Sequence, residues 1–248
     1  MIKKIVWALG LWCCVLVSCK KETETLQMTA IGEYAPLITG KYITYQLDSF
    51  RYLPFSTQSI IISFQVKYQV DSQVTDNSGR PAYRILRFIR KNPTNAWEHD
   101  NTFMAVNTGS SLEFVENNFR FIKLKQPFRD TYTWKGNSYI NTNSGFSEVR
   151  YLDDWDYEYD SVNAPLQLGA ITFDSTLKVN QRDDIIGFPN DPTVFSEINF
   201  GVEYYAKGIG LIYRKFFHSE YQPPTTSGGT GYYTNDSKGV TLTLIDHN

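Results

Sequence analysis

The sequence predicts an all-β fold: one antiparallel domain built as a curved sheet, a half-barrel or a sandwich. Three observations predict it. Apolar residues recur at every second position in stretch after stretch, while a 3.6-residue period is almost absent. Clusters of Gly, Asn, Asp and Ser separate these stretches at short intervals. Hydrophobic residues make up 42% and aromatic residues 15% of the 248, enough to fill a core.

The first strand is expected over Tyr42 to Leu47. The clearest alternation follows, with Ile60, Ile62, Phe64, Val66, Tyr68 and Val70 on one face and Ile61, Ser63, Gln65, Lys67 and Gln69 on the other. Asp76-Asn77-Ser78-Gly79 makes a turn, since Asn and Gly tolerate positive φ. A partner strand through Tyr83, Ile85, Leu86 and Phe88 completes a long hairpin. Further strands are expected at Thr102 to Asn107, Leu112 to Val115, Arg120 to Lys125, Tyr151 to Tyr159 and Ala170 to Val179. Gly201 to Tyr205, Leu211 to Phe217 and Val240 to Ile245 complete the set. Polar turns such as Asn107 to Ser110, Lys135 to Ser138 and Lys207 to Gly210 divide them. Residues 39–248 read as one domain without linker or repeat.

Lys and Arg number 24 against 26 Asp and Glu, a net charge of −2. No basic face is implied, so nucleic acid is not expected as a partner.

Residues 1–18 read as an export signal: Lys3 and Lys4, then an apolar run from Ile5 to Val17. The run is shorter than the roughly 20 apolar residues that cross a bilayer. It ends in Leu16-Val17-Ser18-Cys19, which resembles the lipobox of bacterial lipoproteins. The resemblance implies cleavage before Cys19, with diacylglycerol on its sulfur and palmitate-type acylation of the new N-terminus. Cys13 and Cys14 lie in the part removed, so no disulfide framework or thiolate metal site remains. Two or three acyl chains hold a protein stably on a membrane. The expected address is therefore the outer membrane, with residues 19–38 as lipidated Cys and polar tether. Lys20-Lys21-Glu22-Thr23-Glu24 is similar to the surface-export signal of Bacteroidota lipoproteins, with Thr23 interrupting the acidic pair.

Four carboxylates, Asp154, Asp156, Glu158 and Asp160, share one face if 151–159 is a strand. At about 7 Å spacing they repel one another. Cations from neighbouring strands, or a hard metal ion such as Ca²⁺, would relieve this. They are the candidate metal ligands. Solvated outer charges are the plainer reading.

Seventeen Tyr and sixteen Phe exceed what a core alone needs. Tyr and Trp make rigid platforms for sugar rings or protein partners. Trp97, Trp134, Trp155, Tyr157 and Tyr159 are the candidate binding aromatics, with core filling as the alternative. Three histidines occur, His99, His218 and His247, none at metal-ligand spacing on one element. His218-Ser219-Glu220 follows a strand and offers one acid–base pair. No G-x-S-x-G elbow is present, and Ser175-Thr176-Leu177-Lys178 spells S-x-x-K on a strand pattern where that chemistry needs a helix. Thr226 to Gly231 is glycine-rich but lacks the Lys of a phosphate loop. No catalytic residue and no cofactor is assigned.

Lys123 to Phe128 with Trp134 to Asn137, Tyr205 to Tyr213, and Leu242 to Asn248 together resemble uncharacterised lipoproteins of Bacteroidota. The Tyr205 to Tyr213 segment is also similar to the hairpin of exported half-barrel β-proteins, related in shape to periplasmic lipoprotein carriers. Gly208 and Gly210 suit a tight or bulged hairpin. The resemblance supports the fold and brings no catalytic residues. The expected function is a lipid-anchored, non-enzymatic binding or accessory module for an apolar or glycan ligand or an envelope protein. A structural role in the outer membrane and a carboxylate-based glycan hydrolase are the alternatives.

Overall fold

The computed structural model describes residues 29–143, 149–226 and 228–248. The expected export signal, Cys19 and most of the expected tether lie outside the described residues.

A short helix, α1 (Ile31–Tyr34), precedes thirteen strands. The first six are β1 (Tyr42–Tyr52), β2 (Ser59–Thr75), β3 (Pro81–Arg90), β4 (Glu98–Asn107), β5 (Ser111–Glu116) and β6 (Phe119–Lys125). Next come β7 (Thr133–Lys135), β8 (Asp156–Leu168), β9 (Ile171–Gly187), β10 (Ser196–Ala206) and β11 (Gly210–Gln222). β12 (Tyr232–Tyr233) and β13 (Lys238–His247) follow. One antiparallel sheet takes in all of them, in the order β6-β5-β4-β3-β2-β1-β13-β11-β10-β9-β8-β7, with β12 beside β11. Sequence neighbours pair along each half, β6 and β7 form the two ends of the order, and β13 slots between β1 and β11.

The sheet curls into a nearly closed barrel. Its two edges, β6 and β7, come together without forming a ladder. The Ile122 amide donates to Gly136 O at 2.8 Å, and Trp134 Nε1 donates to Ile122 O at 2.8 Å. Tyr159 Oη adds bonds to the Lys125 amide and carbonyl, both at 2.9 Å. Closure leaves little exposed edge, the usual hazard of an open sheet.

The expected parity of β2 holds. Val66 and Val70 are buried, and Ile61 on the opposite face is 66% exposed. The Asp76 turn forms as expected: its Oδ1 accepts from the Ser78 and Arg80 amides at 2.9 Å, and Gly79 takes φ +75°. The β10–β11 hairpin turns on Gly208 at φ +77° and Gly210 at φ +115°.

Most strands run further than expected, and three differences bear on the site. Residues 150–152 form a 3-10 turn and Asp154 has φ +53°, so the strand expected from Tyr151 starts only at Asp156. The strand expected to stop at Phe217 runs on to Gln222, which puts His218 and Glu220 inside β11. Finally, the folded body begins ahead of residue 39: Ile31 and Tyr34 of α1 are fully buried. Tyr34 meets Phe128 edge-on at 5.4 Å and hydrogen-bonds Asn163 and Ser175 Oγ, the latter at 2.8 Å. Gly208 N donates to Glu33 O at 2.7 Å, so α1 closes the barrel end that carries the β10–β11 hairpin.

Candidate functional site

Strand parity aims a set of charged side chains into the barrel. Arg214, Phe216, His218 and Glu220 lie at alternate positions of β11, on the face that also carries the lumen aromatics. Glu203 and Asn199 come from β10, Glu116 from β5 and Lys123 from β6. Arg214 grips Glu116 with two parallel bonds of 3.0 and 2.9 Å. Lys123 Nζ reaches Glu203 Oε1 at 2.7 Å, and Tyr205 Oη donates to Glu203 Oε2 at 2.7 Å. Arg214 Nε stands 3.6 Å from Glu203. Two cations thus face two carboxylates, and a buried charge is tolerable only in such company.

Burial alone would push the Glu116 carboxyl up, but Arg214, with Lys123 and Arg87 behind it, brings it down to about 2. Glu203 is likewise held low by Lys123 and Arg214 against the effect of burial. Both carboxylates stay ionised, so neither serves as a proton donor near neutral pH.

This charged layer divides the lumen. On the α1 side lies an apolar space of about 120 Å³ beneath Ala35, Pro36 and Leu37. On the other side the barrel opens into a cavity of about 1030 Å³. Its walls carry Tyr68, Phe119, Phe121, Trp155, Tyr157 and Phe216. Asn117, Asn141, Asn235 and Lys238 line it too and are exposed, which marks the mouth. Gln181 lies in the wall, only 2% exposed, and its Nε2 has no hydrogen-bond partner. Trp155 and Gln181 meet over Gly201, where a Cβ would come within 2.9 Å of Gln181 Oε1 and 3.0 Å of Trp155 Cζ3.

At the mouth, His218 is 1% exposed and stacks on Tyr151 at 3.8 Å between centroids. Burial holds its imidazole below the ordinary value, against the pull of Asp236 and Glu197. Glu220 is pushed up by burial. Among the described residues, His218, Glu220 and Asp236 form a group whose ligand atoms lie within 4.8 Å of one another.

The aromatics singled out from sequence divide. Trp155 and Tyr157 reach the cavity wall. Trp134 and Tyr159 are buried against each other at 4.7 Å and seal the barrel seam. Trp97 lies away from the cavity, with Arg90 over its ring at 4.2 Å and Lys67 at 5.3 Å. The four carboxylates do not converge. Lys135 takes Asp154 at 2.5 Å and Asp156 at 2.9 Å, and Lys178 takes Asp160 at 2.6 Å. Glu158 lies opposite Asn180 on β9.

No protein-family model matches the chain, and no curated protein does. A solved structure shows a likeness. It is a Bacteroides fragilis protein described as exported and as having a YmcC-like fold, 12% identical, with 85% of this chain and 96% of that one covered and a TM-score of 0.34.

Sequence reasoning missed the charged lumen. The signal was present as charge on an aromatic parity: Arg214, His218 and Glu220 share the parity of Phe216.

Proposed function

We propose that this chain is a binding module of the cell envelope that admits a small, polar, ring-bearing molecule of the glycan class into the barrel mouth. The observation that carries the reading is the unpaired Gln181 Nε2, buried in the wall of a large cavity beside Trp155. Buried donors normally have an acceptor, and a ligand oxygen would supply it. Sugar faces stack on aromatic rings while their hydroxyls need donors and acceptors. Gln181 with Asn117, Asn141 and Asn235 offers these, whereas an acyl chain would leave them unsatisfied. The envelope address and the lipid anchor at Cys19 rest on the sequence alone.

The test is a titration of Trp155 emission with soluble oligosaccharides and, separately, fatty acids, using Trp155→Phe to assign the signal. Saturable change with a glycan, lost in Gln181→Leu, supports the reading. Saturation with fatty acids alone, or with nothing, overturns it. The anchor is tested by labelled palmitate, which Cys19→Ser should no longer incorporate.

A second reading, docking of an envelope protein, is favoured by Phe55 and Phe188. They are 78% and 70% exposed in the loops joining β1 to β2 and β9 to β10.

A further inference from the structure

His218 and Glu220 stand two apart on β11 and so share its inward face. Asp236 arrives from the turn ahead of β13. That turn is pinned to the Glu220 backbone: Thr234 N donates to Glu220 O at 2.9 Å, and Glu220 N donates to Ser237 Oγ at 2.9 Å. Three ligand-type side chains are thereby held together from two parts of the chain.

The hydrogen bonds decide what His218 presents. Glu197 Oε1 can only accept, so Asn199 must turn its Nδ2 toward it, at 2.7 Å. Asn199 Oδ1 then faces His218 Nδ1 at 2.7 Å, and Nδ1 carries the proton. In the neutral ring Nε2 is left as a bare lone pair. It is buried and makes no hydrogen bond, and Asp236 Oδ2 stands 3.8 Å from it, beyond hydrogen-bond reach. Two acceptors facing each other across such a gap call for a cation between them.

The surroundings are built as metal sites are built. Each ligand has its own support: Asn199 on His218, Gln222 Nε2 on Glu220 Oε1 at 2.7 Å, and Thr234 Oγ1 on Asp236 Oδ1. The Tyr151 ring fixes the imidazole plane. Glu197 adds a third carboxylate nearby, against Lys238 and Arg150. One imidazole and two carboxylates are a mixed N/O set, which suits borderline ions of the Zn²⁺ type better than Ca²⁺ or Mg²⁺. Bonds of about 2.1 Å to a tetrahedral ion put ligand atoms about 3.4 Å apart. The part-buried Glu220 and Asp236 can close that remaining distance by rotation.

We propose that His218, Glu220 and Asp236 hold one divalent transition cation of the Zn²⁺ class at the rim of the cavity. Asp236 and Tyr151 both line that cavity, so the ion borders the lumen. The proposal stands apart from the glycan reading and does not need it.

The test uses the full-length, tag-free chain in detergent, stripped with chelator and titrated with Zn²⁺ alone. Asp236→Asn and His218→Gln should each weaken one site at least tenfold, while Glu98→Gln on the outside should leave it unchanged. Cysteine sites near the N-terminus are common to all variants and cancel in the comparison. Co²⁺ should give intense visible bands of low coordination number in the wild type, and the part of them due to this site should be lost in Asp236→Asn. If His218→Gln fails to fold, Asp236→Asn still decides, because Asp236 is partly exposed. Equal Zn²⁺ affinity in the folded Asp236→Asn variant, or the same Co²⁺ spectrum in the two proteins, overturns the proposal.

Discussion

Arg214 on β11 clasps Glu116 on β5 through two parallel hydrogen bonds, across the lumen and 98 positions apart in sequence. The pair ties opposite walls of the barrel together. Removing one partner strands the other charge in a poorly solvated place. Glu116→Gln should cost about 3 kcal/mol. The double variant Glu116→Met with Arg214→Met should recover much of that. Urea unfolding of the three proteins checks both statements.

The same pair gives the barrel an acid limit. Glu116 sits at about 2 when folded, and an unfolded Glu titrates near 4.3. Between those values the unfolded chain binds the extra proton, so stability rises with pH. The contribution is complete above the unfolded value and disappears as pH falls through about 2. Urea midpoints measured from pH 5 down to pH 2 should fall in the wild type and fall less steeply in Glu116→Gln.

Gly201 is the contact point of Gln181 and Trp155. Gly201→Ala would place a methyl group inside their separation, and overpacking of this kind costs about 1–3 kcal/mol. Trp155 emission should shift with it. An unshifted spectrum together with unchanged stability would show that the neighbours move aside freely.

Tyr34 is the stopper of the α1 end. Tyr34→Phe keeps the ring and loses the bonds to Asn163 and Ser175, at a cost of about 1–2 kcal/mol. Tyr34→Ala should cost about 3–5 kcal/mol, as large buried rings do. Amide exchange at the β10–β11 hairpin should speed up in the second variant more than in the first.

Phe55 and Phe188 stabilise little where they stand. The double variant Phe55→Ser with Phe188→Ser should change unfolding free energy by less than about 0.5 kcal/mol. Retention on a hydrophobic column should drop. A large loss of stability would mean that the two rings pack against the body instead of standing in solvent.

Much of the fold was readable as periodicity. The alternation from Ile60 to Val70 reports which side chains of β2 face the lumen, because a strand buries every second residue. The break at Asp154 was not readable, since a single left-handed residue ends an apparent strand without disturbing the alternation. α1 was hidden because four residues are too few to show a helical period. Of the sites, the pair His218 and Glu220 was visible. Asp236, Asn199 and the charged layer were not. Lys123 finds Glu203 80 residues away, and only the sheet order makes them neighbours.

The placement of β13 bears on how the ring assembles. β1 to β6 zip by successive hairpins, and so do β8 to β11, while β7 joins β8 across residues 136–155; each set relies on partners close in sequence. The union of the two sets depends on pairs such as Ile43 with His247, which must find each other across nearly the whole polypeptide. Such distant encounters are slow. Two preassembled arcs awaiting a final wedge describe the route this topology favours, and damage to β13 would open the ring on the side away from the β6–β7 seam.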